Sequence, residues 1–77
     1  MQINILIFGQ LAEITRSRQV IFNDINDTET LKNVLQEKYP ALSELPYLIA
    51  VDKEIVSAKT ILNDKSIVAL LPPYAGG

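Results

Sequence analysis

The stretch MQINILIFG, residues 1–9, decides the fold, because it reads as a β-strand with apolar side chains on both faces. Three isoleucines alternate on one face, whereas Leu6 and Phe8 lie on the other. A β-branched run that is apolar on both sides is typical of a strand in the middle of a sheet. We therefore expect a central strand here that ends at Gly9.

Four more segments of the chain have the composition of strands. The further predicted strands are residues 19–22, 47–51, 54–56 and 67–71. The connection over residues 11–18 fits either a loop or a short turn of helix. The last strand is apolar throughout, and Pro72 and Pro73 end it because proline has no N–H for a sheet ladder.

One helix is predicted after the first two strands. Either Asp27 or Thr28 can cap its N-terminus. The apolar stripe at helical spacing consists of Leu31, Val34, Leu35 and Tyr39. Pro40 ends the helix, because the residue before a proline avoids the α region.

A single helix covers only one face of a sheet, so the element order predicts an α+β fold. We expect a mixed four- to five-stranded sheet packed against one main helix, with the first and last strands paired centrally and parallel. This is the β-grasp (ubiquitin-like) arrangement. We expect it to occupy residues 1–73 and to be followed by a flexible C-terminal Gly-Gly tail, residues 74–77.

The composition excludes several classes of function. The 77 residues include no cysteine and no histidine, which removes disulfides, thiol chemistry and the commonest general base and metal ligand. We expect no metal site and no bound cofactor. A pI near 4.9 argues against a nucleic-acid partner. No signal peptide or membrane-spanning run is recognisable, so we expect a cytoplasmic protein. Arg16 and Arg18 are interpreted as part of a solvated loop.

The chain ends in LLPPYAGG, residues 70–77. Glycines without Cβ atoms allow a backbone to enter a narrow channel of a partner, and the terminal carboxyl of Gly77 has no side chain beside it. A Gly-Gly end by itself is also common in frayed termini. Because no other chemistry competes in this sequence, we interpret the tail, Tyr74, Ala75, Gly76 and Gly77, as the working part.

The ending LLPPYAGG resembles that of the molybdopterin synthase small-subunit family of sulfur carriers, in which an apolar strand runs into Pro-Pro and then Gly-Gly. The strand pair at residues 49–51 and 55–56 and the exit of the first strand at residues 8–11 are also similar. Three positions depart from the family pattern: Ala12 for arginine, Asp52 for asparagine, and residues 65–67 for a Gly-Asp-Glu turn.

The resemblance implies a function. An E1-like adenylating enzyme would use ATP to activate Gly77, and a sulfur donor would convert its carboxyl to a thiocarboxylate. The tail would then enter the large subunit of molybdopterin synthase, within a heterotetramer, and give its sulfur to cyclic pyranopterin monophosphate. This chain would be a non-catalytic carrier subunit, with the catalytic side chains in the large subunit. The implied partner interface consists of Phe8, Ile55, Leu71, Pro72 and Pro73.

Three alternatives remain open from the sequence. The chain could serve thiazole synthesis, or it could be a ubiquitin-related modifier that thiolates tRNA or is conjugated to lysines, since both kinds of carrier end in Gly-Gly. It could also be a β-grasp interaction module with an inert tail. A stand-alone enzyme is disfavoured because histidine and cysteine are absent.

Overall fold

A computed structural model describes residues 2–73 of the chain. Its elements are β1 (Gln2–Ile7), α1 (Leu11–Thr15), β2 (Gln19–Asn23), α2 (Thr28–Lys38), a 3-10 helix (Pro40–Glu44), β3 (Leu48–Val51), β4 (Glu54–Val56) and β5 (Ile67–Leu71). All five predicted strands and the main helix are present. The connection that the sequence left open contains the short helix α1, which ends at Arg16 in the left-handed region (φ 59°).

The five strands form one sheet in the order β2-β1-β5-β3-β4. The strands β1 and β5 pair in parallel, and the other three pairs are antiparallel. The α+β architecture and the central, parallel pairing of the first and last strands are therefore confirmed. The strand β5 has neighbours on both edges and is therefore a central strand, which agrees with its apolar sequence.

The helix α2 begins and ends at the residues that its capping signals favour. The carboxylate of Asp27 accepts a hydrogen bond of 2.7 Å from the backbone N–H of Thr30, so Asp27 is the N-cap. At the other end the N–H of Tyr39 donates to the carbonyl of Leu35 at 2.7 Å. Pro40 then begins the 3-10 helix, an element the sequence analysis did not predict; proline suits a first helical position, since its missing N–H has no partner there.

The core lies between α2 and one face of the sheet. Leu31 and Leu35 of the helix are fully buried. They belong to one apolar cluster with sheet residues that include Ile3, Ile5, Ile7, Ile49, Val68 and Leu70. The three alternating isoleucines of β1 thus face the helix, as their spacing predicts.

The connection between β4 and β5, residues 57–66, is tied to the N-terminal end of α2. The N–H of Thr28 donates to the carbonyl of Thr60, and the N–H of Thr60 donates to the hydroxyl of Thr28, both at 2.9 Å. Leu62 is buried and donates its N–H to the carbonyl of Asn26 at 2.8 Å. These contacts order a segment that has no regular element of its own.

Within residues 2–73, no helix has the length and apolar character needed to cross a membrane.

Candidate functional site: the open sheet face and the exit of the chain

The C-terminal ends of β1 and β5 lie at the same edge of the sheet, because the two strands run parallel. The N–H of Phe8 donates to the carbonyl of Leu70 at 3.1 Å, which continues the pairing one residue beyond β1. The chain therefore leaves β5 toward its C-terminus beside Phe8. The predicted tail residues Tyr74, Ala75, Gly76 and Gly77 lie outside the described residues, so their role stays a prediction.

The face of the sheet opposite α2 is apolar at this edge. The register pairs Leu48 with Leu71 and Leu6 with Ala69, and Ala69 also pairs with Ala50. Residues paired across strands share a face, since side chains alternate along each strand.

We call the sheet face opposite α2 the open face. Ile55, on the edge strand β4, pairs with Ala50 of β3 and therefore lies on the open face as well. The side chains of Phe8 and Ile55 are 47% and 51% exposed, and Leu6, Leu48 and Leu71 are half-buried. Contiguous exposed apolar surface of this kind marks an interaction site more often than scattered single residues do.

A pair of polar side chains lies on the open face of β1 and β2, farther from the C-terminal end of β5 than Phe8. The side-chain amide of Gln19 donates to the side-chain oxygen of Asn4 across the β1–β2 pair. Asn4 is flanked in the register by two exposed isoleucines, Ile21 and Ile67. Ile67 lies two residues before Ala69 on the same face, so the apolar surface continues along β5.

Gly9 and Pro72 meet where the two parallel strands end. Gly9 has a φ of +62°, and a Cβ on Gly9 would lie 2.5 Å from Cγ of Pro72. Pro72 is buried, whereas Pro73 is exposed. The proline that follows β5 therefore packs directly on the backbone that follows β1.

A cleft with two cations lies beside Phe8. Its lining includes Phe8, Glu13, Arg16 and Arg18. Both arginines are exposed, which agrees with their interpretation as loop residues. Their positive charges lie at the rim of the apolar surface, where charge affects the rate of association more than the affinity.

The sequence contains neither histidine, the commonest general base, nor the thiol nucleophile cysteine. No set of three or more acidic side chains within residues 2–73 is placed to hold a metal ion. In the same part of the chain, no buried side-chain nitrogen or oxygen lacks a hydrogen-bond partner. What the arrangement offers is a binding surface next to the point where the C-terminal segment leaves the sheet.

The structure brings three of the predicted interface residues, Phe8, Ile55 and Leu71, onto one face. Pro72 is buried against Gly9, and Pro73 is exposed. Whether these five residues contact a partner stays a prediction. The sequence analysis did not select Leu6, Leu48 or Gly9. Strand alternation could have found Leu6, whereas Leu48 required the register of β3 on β5.

The mixed sheet, the single main helix and the parallel central pair define a β-grasp protein of the ubiquitin-like class. The sequence matches the model of the ThiS family over residues 5–77, and the chain therefore belongs to that family.

Two curated relatives are similar over nearly their whole length. The molybdopterin synthase sulfur carrier subunit of Mycobacterium tuberculosis is 33% identical and aligns over 99% of this chain and 98% of its own. The protein of the same name from Caenorhabditis briggsae is 32% identical over 97% of this chain and 96% of its own. The family resemblance inferred from the sequence is confirmed.

A solved complex of subunits 1 and 2 of the molybdopterin-converting factor of Helicobacter pylori contains a chain of the same fold. It superimposes with a TM-score of 0.74 over 100% of both chains, at 29% sequence identity.

Proposed function

We propose that this chain is a sulfur carrier of molybdenum cofactor biosynthesis and that it donates sulfur from a thiocarboxylate at Gly77. The observation that carries the proposal is the placement of an apolar, exposed sheet face at the edge where the C-terminal segment leaves β5. A carrier needs both parts together: a surface that binds the enzyme and a chain end that reaches its active site. The curated relatives named as sulfur carrier subunits support the choice of pathway.

The chemistry begins with a poor electrophile. A free α-carboxyl titrates near about 3.5, so the Gly77 carboxylate is ionised at neutral pH. An E1-like adenylating enzyme would join it to AMP from ATP, with loss of pyrophosphate. Hydrosulfide supplied by a sulfur donor would then attack the acyl carbon, and AMP would leave with one carboxylate oxygen. The product is the Gly77 thiocarboxylate.

Sulfur transfer would take place inside the large subunit of molybdopterin synthase. The open face of this chain would bind the large subunit, and residues 74–77 would reach the bound cyclic pyranopterin monophosphate. The sulfur passes to the pterin, and hydrolysis returns the Gly77 carboxylate. A dithiolene has two sulfurs, so two charged carriers are consumed per product. The large subunit would supply the catalytic side chains, in a heterotetramer of two small and two large subunits.

The complex of converting-factor subunits from H. pylori supports a large-subunit partner for this chain. The exposed apolar area around Phe8 and Ile55 has the composition that such an interface needs, because aromatic and aliphatic anchors dominate binding energy. ATP is a reactant of the adenylating enzyme, and we propose no ATP site on this chain.

The proposal is tested by intact-mass spectrometry of the chain, carrying any tag at its N-terminus, after incubation with an adenylating enzyme, ATP and sulfide. The expected result is the mass gain of one oxygen-for-sulfur exchange, located at Gly77. Omission of ATP and deletion of Gly77 are the matched controls. No mass change with several competent adenylating enzymes would instead favour an interaction module with an inert tail.

Transfer then separates the molybdopterin pathway from the other sulfur-carrier pathways. The charged chain is mixed with the large subunit of molybdopterin synthase and cyclic pyranopterin monophosphate, and molybdopterin is measured. Charging at Gly77 without transfer to this acceptor would point to thiazole synthesis or tRNA thiolation.

A further inference from the structure

Gly9 forms the corner between β1 and α1. Its φ of +62° lies in the left-handed region, which L side chains rarely adopt. Its carbonyl accepts the N–H of Ala12 at 3.2 Å, which starts the turn into α1. Leu11 directly follows the corner and is 2% exposed, so the path of the chain is fixed on that side by the core.

The Pro72 ring occupies the space that a side chain at Gly9 would need. A Cβ there would lie 2.5 Å from Cγ and 3.3 Å from Cδ of Pro72. Real Cβ atoms do not approach other heavy atoms this closely, and a proline ring cannot rotate away as an open side chain can. Any other L-residue at position 9 must therefore displace Pro72.

Pro72 controls the direction of the chain that follows it. Its φ is fixed near about −65° by the ring, and it is buried against the end of β1. Pro73, the next residue, is already exposed. The backbone thus leaves the sheet from an anchor that consists of a rigid residue packed on a glycine.

We propose that Gly9 is a positioning residue for the C-terminal carboxyl. By leaving room for Pro72 it sets the direction in which residues 73–77 leave the open face that binds the partner. An ordinary contact distance of 3.4 Å in place of 2.5 Å would require the Pro72 ring to move by roughly 1 Å, at the residue from which the chain continues toward its C-terminus. Misplacement of a reacting group by about 1 Å can slow a reaction on the order of 100-fold.

The inference rests on the proposed sulfur-carrier function and predicts a separation between binding and transfer. Leu48 and Ile55 lie on other strands than Gly9 and remain available for binding when Pro72 moves, so the complex still forms at a saturating concentration of the large subunit. Only the step that depends on the position of the carboxyl is slowed.

The experiment uses the full chain, released from an intein thioester by hydrosulfide so that it carries the thiocarboxylate without any activating enzyme. The Kd for the large subunit is measured by calorimetry, and sulfur transfer to cyclic pyranopterin monophosphate is followed in a single turnover. For Gly9→Ala we expect a transfer rate at least about 10-fold lower with the large subunit in saturating excess, as judged from the measured Kd. A rate equal to that of the unchanged chain would overturn the proposal.

Pro72→Ala keeps the test decisive if Gly9→Ala does not fold, because it removes the ring and leaves the glycine corner intact. Pro72 is itself a predicted interface residue, so transfer by this variant is compared with the large subunit in saturating excess; we expect it to be slower there, and unimpaired transfer would overturn the proposal. If both single variants fold, the effects of the two substitutions are not additive in the double variant, since they disrupt one contact; full additivity would contradict a shared anchor.

Pro40→Ala, at an exposed proline in the 3-10 helix, is the matched control and keeps the original rate. If the unchanged chain itself transfers no sulfur, the proposed function fails rather than the role of Gly9.

Discussion

Asp52 and Ile67 are joined by a reciprocal pair of hydrogen bonds. The N–H of Asp52 donates to the carbonyl of Ile67 at 2.8 Å, and the carboxylate of Asp52 accepts the N–H of Ile67 at 3.0 Å. Asp52 and Lys53 both have positive φ, 51° and 73°, as the two central residues of a type I′ hairpin turn require. The side chain of Asp52 thus links the β3–β4 turn to the first residue of β5.

Asp52 is one of the departures from the family pattern, which has asparagine there, and the structure indicates that the two residues are interchangeable. Both tolerate the left-handed region and both carry an acceptor oxygen. We expect Asp52→Asn to change the free energy of unfolding by less than about 0.5 kcal/mol. Asp52→Ala should cost about 1–2 kcal/mol, because it loses the hydrogen bond and strains the turn. Urea denaturation measures both, and equal stability of the two variants would contradict this role of the side chain.

The N-cap of α2 predicts a dependence of stability on acid. The backbone N–H of Thr30 lowers the pKa of Asp27 below its ordinary value of 3.8, and Lys59, 4.0 Å from the carboxylate, acts in the same direction. A carboxyl whose folded-state pKa is lowered stabilises the fold above its unfolded pKa. That stability is lost as the pH falls through the folded pKa.

We therefore expect the free energy of unfolding to fall below about pH 4. Asp27→Asn should reduce this dependence while it keeps the cap, since asparagine caps helices as well as aspartate. The measurement is denaturant unfolding between neutral pH and the acid limit of solubility. An identical pH profile for the variant would assign the acid sensitivity to other carboxyls.

The open face predicts which side chains carry binding to the large subunit. Phe8→Ala and Ile55→Ala should each raise the Kd roughly 10-fold, about 1–2 kcal/mol, because each removes an exposed apolar anchor next to the exit of the chain. Both should change stability by less than about 1 kcal/mol, since about half of each side chain is already exposed.

Ile61→Ala is the matched control for these two variants. Ile61 is 73% exposed and lies at an isolated bridge with Asp27, away from the open face. It should leave the Kd unchanged when binding is measured by calorimetry. An equal loss of affinity from Ile61→Ala would place the interface elsewhere.

Deletion of Gly77 should abolish charging and sulfur transfer while it leaves folding nearly unchanged. Every buried residue of the described core lies before Pro73, so the loss of one terminal glycine should cost well under about 1 kcal/mol. Thermal unfolding and intact-mass analysis of the same sample measure the two effects together. A large drop in unfolding temperature would show that the terminus contributes to the fold.

Local patterns in the sequence determined the elements of this protein. The alternation of isoleucines in β1, the spacing of Leu31 and Leu35 in α2 and the cap at Asp27 each depend on neighbours a few residues apart. The end of β5 at Leu71 is likewise a local effect, because Pro72 follows it directly. The apolar character of the first and last strands was enough to predict their central pairing. The ending LLPPYAGG was enough to predict the family.

Only the tertiary structure decided how these elements combine into a surface. Leu48 joins Leu71 on the open face because of the β3–β5 register, and a slip of one residue would turn it into the core. The contact of Gly9 with Pro72 exists because two strands from opposite ends of the chain run parallel and end together. A sequence pattern records the period of one element, whereas register and close approach depend on how the whole core packs.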